Sequence, residues 1–366
     1  MTEGLLTSAQ PLVRVEGQLV DSLTIDLNSL RIRETSDGLR TLELELLAVQ
    51  ELEASAPNPI EPKYLDGRVL DFGKRIEVVL GPENDPRVVF EGKISAIEVD
   101  LQESQAARVS VFAEDPLMQL RMTRRVQSWT SKSDADIARE VAGRHGLQAE
   151  VDAEGPTWPV IEQWNMSDLA FLRERARLIQ AEVWVEGDKL CFKSRSARTG
   201  TSLTLAFGNE LIELAARADL AHQRTAVRVR GWDAAQAQAI DVEAAGSLIR
   251  AEAGGEGRTG PELLEQNFGK RSSVRVREVP HDSDQAQAIA EAELRRRARA
   301  FVRVSGVTRG SPNMQIGSRL TLERVGRPFE GAGYYVFELC HSYDLQHGFR
   351  TRFEAERATL QGGTNA

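Results

Sequence analysis

Residues 41–47 read Thr-Leu-Glu-Leu-Glu-Leu-Leu, an alternation with a period of two. Only a half-buried strand places every second side chain on one face, so this run belongs in a sheet with one wet side. The same period recurs in SLTIDL (22–27), KRIEVVL (74–80), VVFEGKISAIEV (88–99) and ARVSVF (107–112). Asp37-Gly38, between the first two runs, is a hairpin-turn signal. This spacing predicts an antiparallel barrel or sandwich for the first third of the chain. The prolines of ASAPNPIEPKY (54–64) predict a loop or extended excursion. After Ala197 strand runs return as SLTLAF, TAVRVRGW, SSVRVREV, GSRLTLERV and YYVFELCHSY.

Between these regions the apolar period becomes helical. In SKSDADIAREVAGRHG (131–146), Ser131 or Ser133 can cap a helix, and Asp134 or Asp136 complements its positive end. Ile137 and Val141 stack at i, i+4, and Gly146 is a natural stop. WNMSDLAFLRERARLIQAEVWVEGDKLCF (164–192) reads as a helix capped by Ser167 that feeds a hairpin turning at Gly187-Asp188. That turn places Glu186 opposite Lys189, Val185 opposite Leu190, Trp184 opposite Cys191 and Val183 opposite Phe192. The helix stripe of Leu169, Leu172, Ala176 and Ile179 then packs on the valine face. A last helix, 284–300, is expected with Ser283 as its cap and an arginine-rich C-terminal end that suits the helix dipole. Gly-rich AGGEGRTGPE predicts a mobile connection across 236–270.

Laying residues 72–108 over 316–352 at a constant offset reveals an internal repeat. Gly73 falls on Gly317, Arg75 on Arg319, Asp100-Leu101-Gln102 on Asp344-Leu345-Gln346, and Arg108 on Arg352. Two related β-domains follow, with the helix–hairpin module between them.

Chemistry is harder to find. The chain lacks GxSxG, HExxH, Walker and CxxC motifs. Cys340 and His341 are neighbours in a strand, so they point to opposite faces and do not share a metal. Catalytic, cofactor and metal residues are therefore all expected to be none. A net charge of −9 argues against nucleic acid as the partner. The N-terminus has no secretion-signal pattern, and no run approaches the ~18 apolar residues of a membrane span. Synthesis in a cytoplasm and no direct membrane insertion are expected. The repeated VRVR pattern would set Arg228, Arg230, Arg275 and Arg277 in a basic ladder if the two strands are neighbours. These four, with Arg295, Arg296 and Arg299 of the last helix, are the candidate partner-contact residues.

Four motifs in order resemble the phage late control protein D family. They are FGKRIEVVLG with VVFEGKISAIEV, the 164–192 stretch, AVRVRGWD, and GSRLTLERV with GYYVFELCHSYDLQHGFRTRFEAER. The match spans about residues 10–360. The family supplies the central hub of contractile-tail baseplates and is similar to the N-terminal hub part of type VI secretion spike proteins. The resemblance implies an α+β, mainly β chain with two related β-barrel domains, forming a ring-shaped homotrimer. That ring has pseudo-six-fold symmetry and joins a hexameric tail tube protein to a trimeric spike protein, with baseplate wedge proteins beside it. The implied domains are 1–118, the first barrel; 119–200, an α/β module; and 201–235 with 271–360, the second barrel, which carries helix 284–300. Residues 361–366 form a tail, so a needle or lysozyme-like domain is expected on a separate polypeptide. The rival readings are a tail-associated cell-wall hydrolase, which needs a catalytic constellation, and a monomeric carbohydrate-binding β-protein, which needs exposed aromatics.

Overall fold

The computed structural model describes residues 10–49, 62–81, 87–103, 105–153, 155–253 and 257–361. Most of the proline-rich excursion and most of the tail lie outside these residues.

The first β unit contains β1 (Leu12–Val15), β2 (Gln18–Leu19), α1 (Asp21–Ile25), β3 (Leu27–Thr35), β4 (Thr41–Leu47), β5 (Arg75–Leu80), β6 (Arg87–Asp100) and β7 (Arg108–Glu114). Alternation in β4 is realised directly: Leu42, Leu44 and Leu46 are buried and the glutamates between them are not. SLTIDL departs from expectation. It forms α1, not a strand, because Leu23 and Leu27 are the buried pair, four residues apart, while Ile25 is 76% exposed.

The middle layer follows with α2 (Leu117–Arg121), β8 (Arg124–Ser133), α3 (Asp134–Arg144), β9 (Gln148–Val151), β10 (Thr157–Ser167), α4 (Asp168–Ile179), β11 (Ala181–Glu186) and β12 (Lys189–Ser194). Ser133 caps α3 in a capping box with Asp136. Ser167 caps α4 by accepting from the Ala170 N–H at 3.2 Å. Gln180, in the left-handed region, turns the chain into β11. The hairpin register is the expected one, from Glu186–Lys189 through Val183–Phe192. Leu169, Leu172 and Ala176 pack with Val183, Leu190 and Phe192 in one core. The long β8–β10 ribbon is not foreshadowed in the sequence reading.

The second β unit begins with β13 (Ser202–Ala206) and β14 (Leu211–Ala218). An insertion follows, made of β15 (Ala226–Asp233), β16 (Gln238–Ala245), α5 (Ser247–Glu252), β17 (Arg258–Thr259), α6 (Gly260–Phe268), β18 (Ser272–Arg275) and α7 (Ser283–Arg299). The unit is completed by β19 (Val302–Thr308), β20 (Arg319–Glu323), β21 (Gly331–Asp344), β22 (Gly348–Arg357) and β23 (Thr359–Leu360). Asp282, not Ser283, caps α7 by accepting from the Gln285 N–H.

Two expectations about this region are corrected. Segment 236–270 carries β16, α5, β17 and α6, with Thr259 and Glu262 closing a capping box, so it is built structure apart from 254–256, which lie outside the described residues. The core also divides the chain differently. Val227, Val229, Ile240, Ala286, Ile289 and Leu294 join the cluster of Leu169, Phe171 and Leu172, not that of the second β unit. The middle layer is therefore assembled from two separated stretches of chain, and helix 284–300 belongs to it.

The two β units follow one strand order. In the first, β3, β4, β7, β6, β5 and β1 are successive neighbours; in the second, β14, β19, β22, β21, β20 and β13 are. Each list visits its strands in the same chain sequence. Bulges coincide as well: one between Leu27 and Ser29 in β3 matches one between Leu211 and Glu213 in β14. Another between Ile94 and Ala96 in β6 matches one between Val336 and Glu338 in β21. The constant offset read from sequence holds for β5 and β20, where Arg75 and Arg319 correspond. Aligned bulge on bulge, β6 and β7 match β21 and β22 two residues earlier. The DLQ and Arg108–Arg352 correspondences are thus two residues out. The step is even, which preserves every face. One difference remains: β1 pairs antiparallel with β5, whereas β13 pairs parallel with β20. Among the described residues no ladder joins β1 to β3 or β13 to β14, so the strand pairing closes neither unit. Instead β21 pairs with β3, fusing both units into one 13-stranded sheet.

A buried charge chain locks this junction. Arg198, 4% exposed, donates to Glu34 of β3 at 2.7 Å and to Glu182 of β11 at 3.1 Å. Its guanidinium stacks on Trp184, 4.5 Å from the ring centroid. Arg40 takes the other side of Glu34 at 2.8 Å, and the Tyr335 hydroxyl of β21 donates to Glu182 at 2.7 Å. Burial alone would raise the Glu34 carboxyl; the Arg40 and Arg198 charges outweigh it and hold the group below the usual carboxylate range. A second knot gathers on Asp168, the first residue of α4. It accepts from Gln163 (2.9 Å), Arg125 (3.1 Å) and Arg144 (3.1 Å), with His145 at 2.9 Å. Here too burial is outweighed, by the Gln163 and His145 hydrogen bonds and the Arg144 charge.

Two predictions follow from these buried groups. Arg198→Leu leaves Glu34 with Arg40 alone and Glu182 with the Tyr335 hydroxyl as its remaining bond, and should cost about 3–5 kcal/mol in a denaturant titration, with Arg198→Lys between it and wild type. A wild-type midpoint in the Leu variant would show the chain to be dispensable. The second concerns His341, whose imidazole is buried against Thr351 and Phe349 and is pushed down to about 4 by burial. Its unfolded value is 6.5, so the unfolded chain binds the extra proton. The His341 contribution is full above the unfolded value and falls between pH 6.5 and about 4, by roughly 3 kcal/mol; the Asp115 carboxyl, raised by burial to about 6, acts in the opposite direction below pH 6. His341→Asn should remove that fall, leaving the rise in stability with falling pH that Asp115 gives below about 6. It should leave the loss below the carboxylate range, where Asp168 and Glu34 protonate.

Candidate functional site

The expected basic ladder does not form as drawn. β15 and β18 are parallel neighbours, but Arg228 lies level with Val274, and Arg275 with Val229. Level partners share a face, so Arg228 and Arg275 point to opposite sides of the sheet. Arg228 and Arg230 are on the outer face, where β16 supplies carboxylates: Asp241 lies 2.7 Å from Arg228 and 3.3 Å from Arg230. Arg275 turns inward to Glu278 and to Glu293 of α7, at 3.1 Å from the latter. Arg277 lies beyond the end of β18.

The α7 arginines divide into two groups. Arg299, 14% exposed at its side chain, bonds Glu252 of α5 at 2.6 Å and Gln180 at 2.7 Å; Arg295 pairs with Glu291 at 3.0 Å. Arg295 also reaches Glu252, at 3.7 Å, so both fasten α7 to α5 as well as lining a cleft of about 760 Å³ with Arg195, Arg319, Tyr335 and Glu356. Within it Arg195 pairs with Glu356 and stacks on Tyr335 at 3.8 Å. Burial opposes the Arg195 charge, and Glu356 more than restores it. Arg296 is the freer residue, 56% exposed while paired to Glu293 at 2.9 Å.

Arg275, Arg277 and Arg296 come together on one groove of about 800 Å³, shared with Trp158, Trp164 and Arg177. Its apolar wall, which the sequence pattern does not single out, includes Trp164 and Val160 of β10. Trp164 and Val126 are cross-strand partners on the outer face of the β8–β10 ribbon, 72% and 83% exposed. The signal was present: two large apolar residues sit where a solvated ribbon face calls for polar ones. The arginines of α4 lie off its apolar stripe and tie it to its neighbours. Arg173 donates to the Asp37 and Gly38 carbonyls at 2.6 and 3.0 Å, and Arg175 bonds buried Asp134 at 2.5 Å.

Among the described residues no group of three or more His, Cys, Asp or Glu is arranged to hold a metal ion. Cys191 is buried, which pushes its thiol up to about 11, and Cys340 is free. No helix of the described residues is long and apolar enough to cross a membrane. The features that stand out are surfaces: two arginine-lined grooves, an exposed apolar ribbon face and a sheet with open edges.

The fold is shared with tail proteins. The 43 kDa tail protein of prophage MuSo2 from Shewanella oneidensis aligns with a TM-score of 0.69 at 14% identity, covering 96% of this chain and 99% of that one. A tail protein from Neisseria meningitidis MC58 aligns at 0.65 and 12% identity, with 96% of each chain covered. An Escherichia coli component of the type VI secretion system, itself described as similar to T4 bacteriophage tail proteins gp27 and gp5, aligns at 0.58 and 12% identity. That alignment covers 94% of this chain and 76% of the other. At these identities the likeness is one of fold. No curated protein matches the chain. The family model described as the Alg8 N-terminal domain matches residues 52–344, more than half of the sequence, and the chain belongs to that family.

Proposed function

We propose that this chain is the structural hub of a contractile injection apparatus baseplate, a homotrimer that joins a hexameric tail tube to a trimeric spike. The observation that carries this reading is the repeated strand order, with matching bulges, in two β units of one chain. Three copies of two near-equal units supply six similar modules around a three-fold axis. Such a ring meets a six-fold partner on one face and a three-fold partner on the other. Head-to-tail interfaces of this kind must close on themselves, because an open series would grow into a filament. The fold shared with phage tail and type VI secretion proteins supports the same role.

Function then resides in surfaces. The groove of Arg275, Arg277 and Arg296 and the outer-face pair Arg228 and Arg230 are the contact regions offered to tube, spike or wedge proteins. The net charge of −9 keeps polyanions from competing for them.

Native mass measurement of the purified protein should give three copies per particle. Electron microscopy of the assembled apparatus should place this chain between tube and spike. A stable monomer that is also absent from the purified apparatus would refute the hub reading. A cell-wall zymogram should show no clearing, and clearing would favour the hydrolase instead.

A further inference from the structure

Two of the strand edges left open among the described residues have counterparts that are paired elsewhere in the same chain, and the fold states what would fill them. β21 uses one edge twice. Its first half pairs with β20, and its second half, Glu338–Asp344, pairs with β3. Its opposite edge carries β22. β6, the matching strand of the first unit, has β5 along its first half and β7 on the opposite edge. Among the described residues, the second half of its β5 edge, from Ser95 to Asp100, has no strand. β14, the counterpart of β3, stands at one end of the sheet, and among the described residues β19 is the only strand it forms a ladder with. Unpaired edges of this kind invite another strand.

We propose that the second half of β6 in one copy pairs antiparallel with β14 of a second copy, repeating between chains the junction that β21 and β3 form within one. This rests on the hub reading, which requires copies to meet. Carried over bulge on bulge, the β21–β3 register sets Ile97 opposite Ala218, Glu98 opposite Arg217, Val99 opposite Ala216, Asp100 opposite Ala215 and Leu101 opposite Leu214.

The side chains fit that register on both faces. On the inner face, Val99 and Leu101, 42% and 56% exposed in the single chain, meet Ala216 and Leu214. Ile97 already packs against the first core, and Leu214, Ala216 and Ala218 against the second, so the junction would join the two. The matching inner positions of the existing junction, Leu339, His341, Tyr343, Leu30, Ile32 and Glu34, are all buried. On the outer face, Glu98 has no cationic partner among the described residues. Arg217 is 80% exposed and lies across its own ladder from Arg303, a like charge. The proposed pair supplies each with an opposite charge; Asp219 already holds one side of Arg217 at 2.8 Å. Neighbouring registers fail. A slip of two residues one way sets Asp100 against Glu213, and the other way sets Glu98 against Asp219. A slip of one residue turns Val99 and Leu101 back to solvent.

Each copy thus offers one β6 edge and one β14 edge, a head-to-tail contact that engages every chain twice in a closed ring. The test is a cross-link. Directly opposed strand residues come within disulfide reach, and Glu98 and Arg217 are both exposed, so replacing them leaves the fold intact. Glu98→Cys with Arg217→Cys should give an intermolecular ladder ending at three chains on a non-reducing gel. Either single variant, and Asp100→Cys with Arg217→Cys, should not. Glu98→Arg and Arg217→Glu should each lower the trimer fraction several-fold, and the two combined should restore it. Trimeric wild type without the cross-link overturns the edge pairing and leaves the hub reading standing. A ladder running past three keeps the pairing and overturns the trimer. Monomeric wild type without a cross-link overturns both.

Discussion

Arg198 is the residue on which the arrangement of layers depends. One guanidinium holds a carboxylate from the first β unit and another from the middle hairpin, and the second of these also accepts from a tyrosine of the second β unit. Desolvating such groups is costly, so each needs its partners within hydrogen-bond distance. A planar fork can satisfy two carboxylates only when the three elements sit at one mutual position. The apolar cores stabilise the units; this charge chain selects how they are stacked. The Asp37-Gly38 turn adds a steric key. A Cβ on Gly38 would meet the Val183 carbonyl at 2.2 Å, and its positive φ suits glycine alone.

Local features were legible where local physics decides them. The Gly187-Asp188 turn fixes strand pairing within a few residues, so the whole hairpin register could be written from the letters. The α4 cap follows from Ser167 for the same reason, and of the two serines the sequence offers for α3, Ser131 and Ser133, Ser133 is the cap. SLTIDL failed because Leu23, Ile25 and Leu27 suit either a strand alternation or an i, i+4 pair. Tertiary packing on β1 chose the second. Segment 236–270 failed because glycines mark both loose linkers and tight contacts. Gly260 lies so near Gln223 and Phe301 that a Cβ would clash.

The candidate surface was less legible than the fold. A pattern such as VRVR names the residues that leave the core side, but not what crosses the sheet to meet them. Asp241 of β16 and Glu293 of α7 are distant in sequence from the arginines they neutralise. Conversely, Trp164 and Val126 look like core residues as letters and are solvent-facing in the fold. The repeat was visible through β5 and β20. Beyond them the offset changes because the paired residues Arg75 and Lys93 are 18 positions apart and their counterparts Arg319 and Tyr335 only 16, so the first unit's connection is two residues longer.

The middle layer is assembled from two stretches separated by part of the second β unit, and this has a mechanical consequence. The backbone passes from the first unit to the middle layer after β7, on to the second unit after β12, back after β14, and out again after α7. The layers are stitched by these four covalent crossings as well as by packing. Tension applied across them is carried along peptide bonds through several strands at once. The middle layer's strands lie in ladders of their own, so it is held by these crossings and by packing, whereas parting the two β units would mean drawing β21 off β3 in their shared sheet.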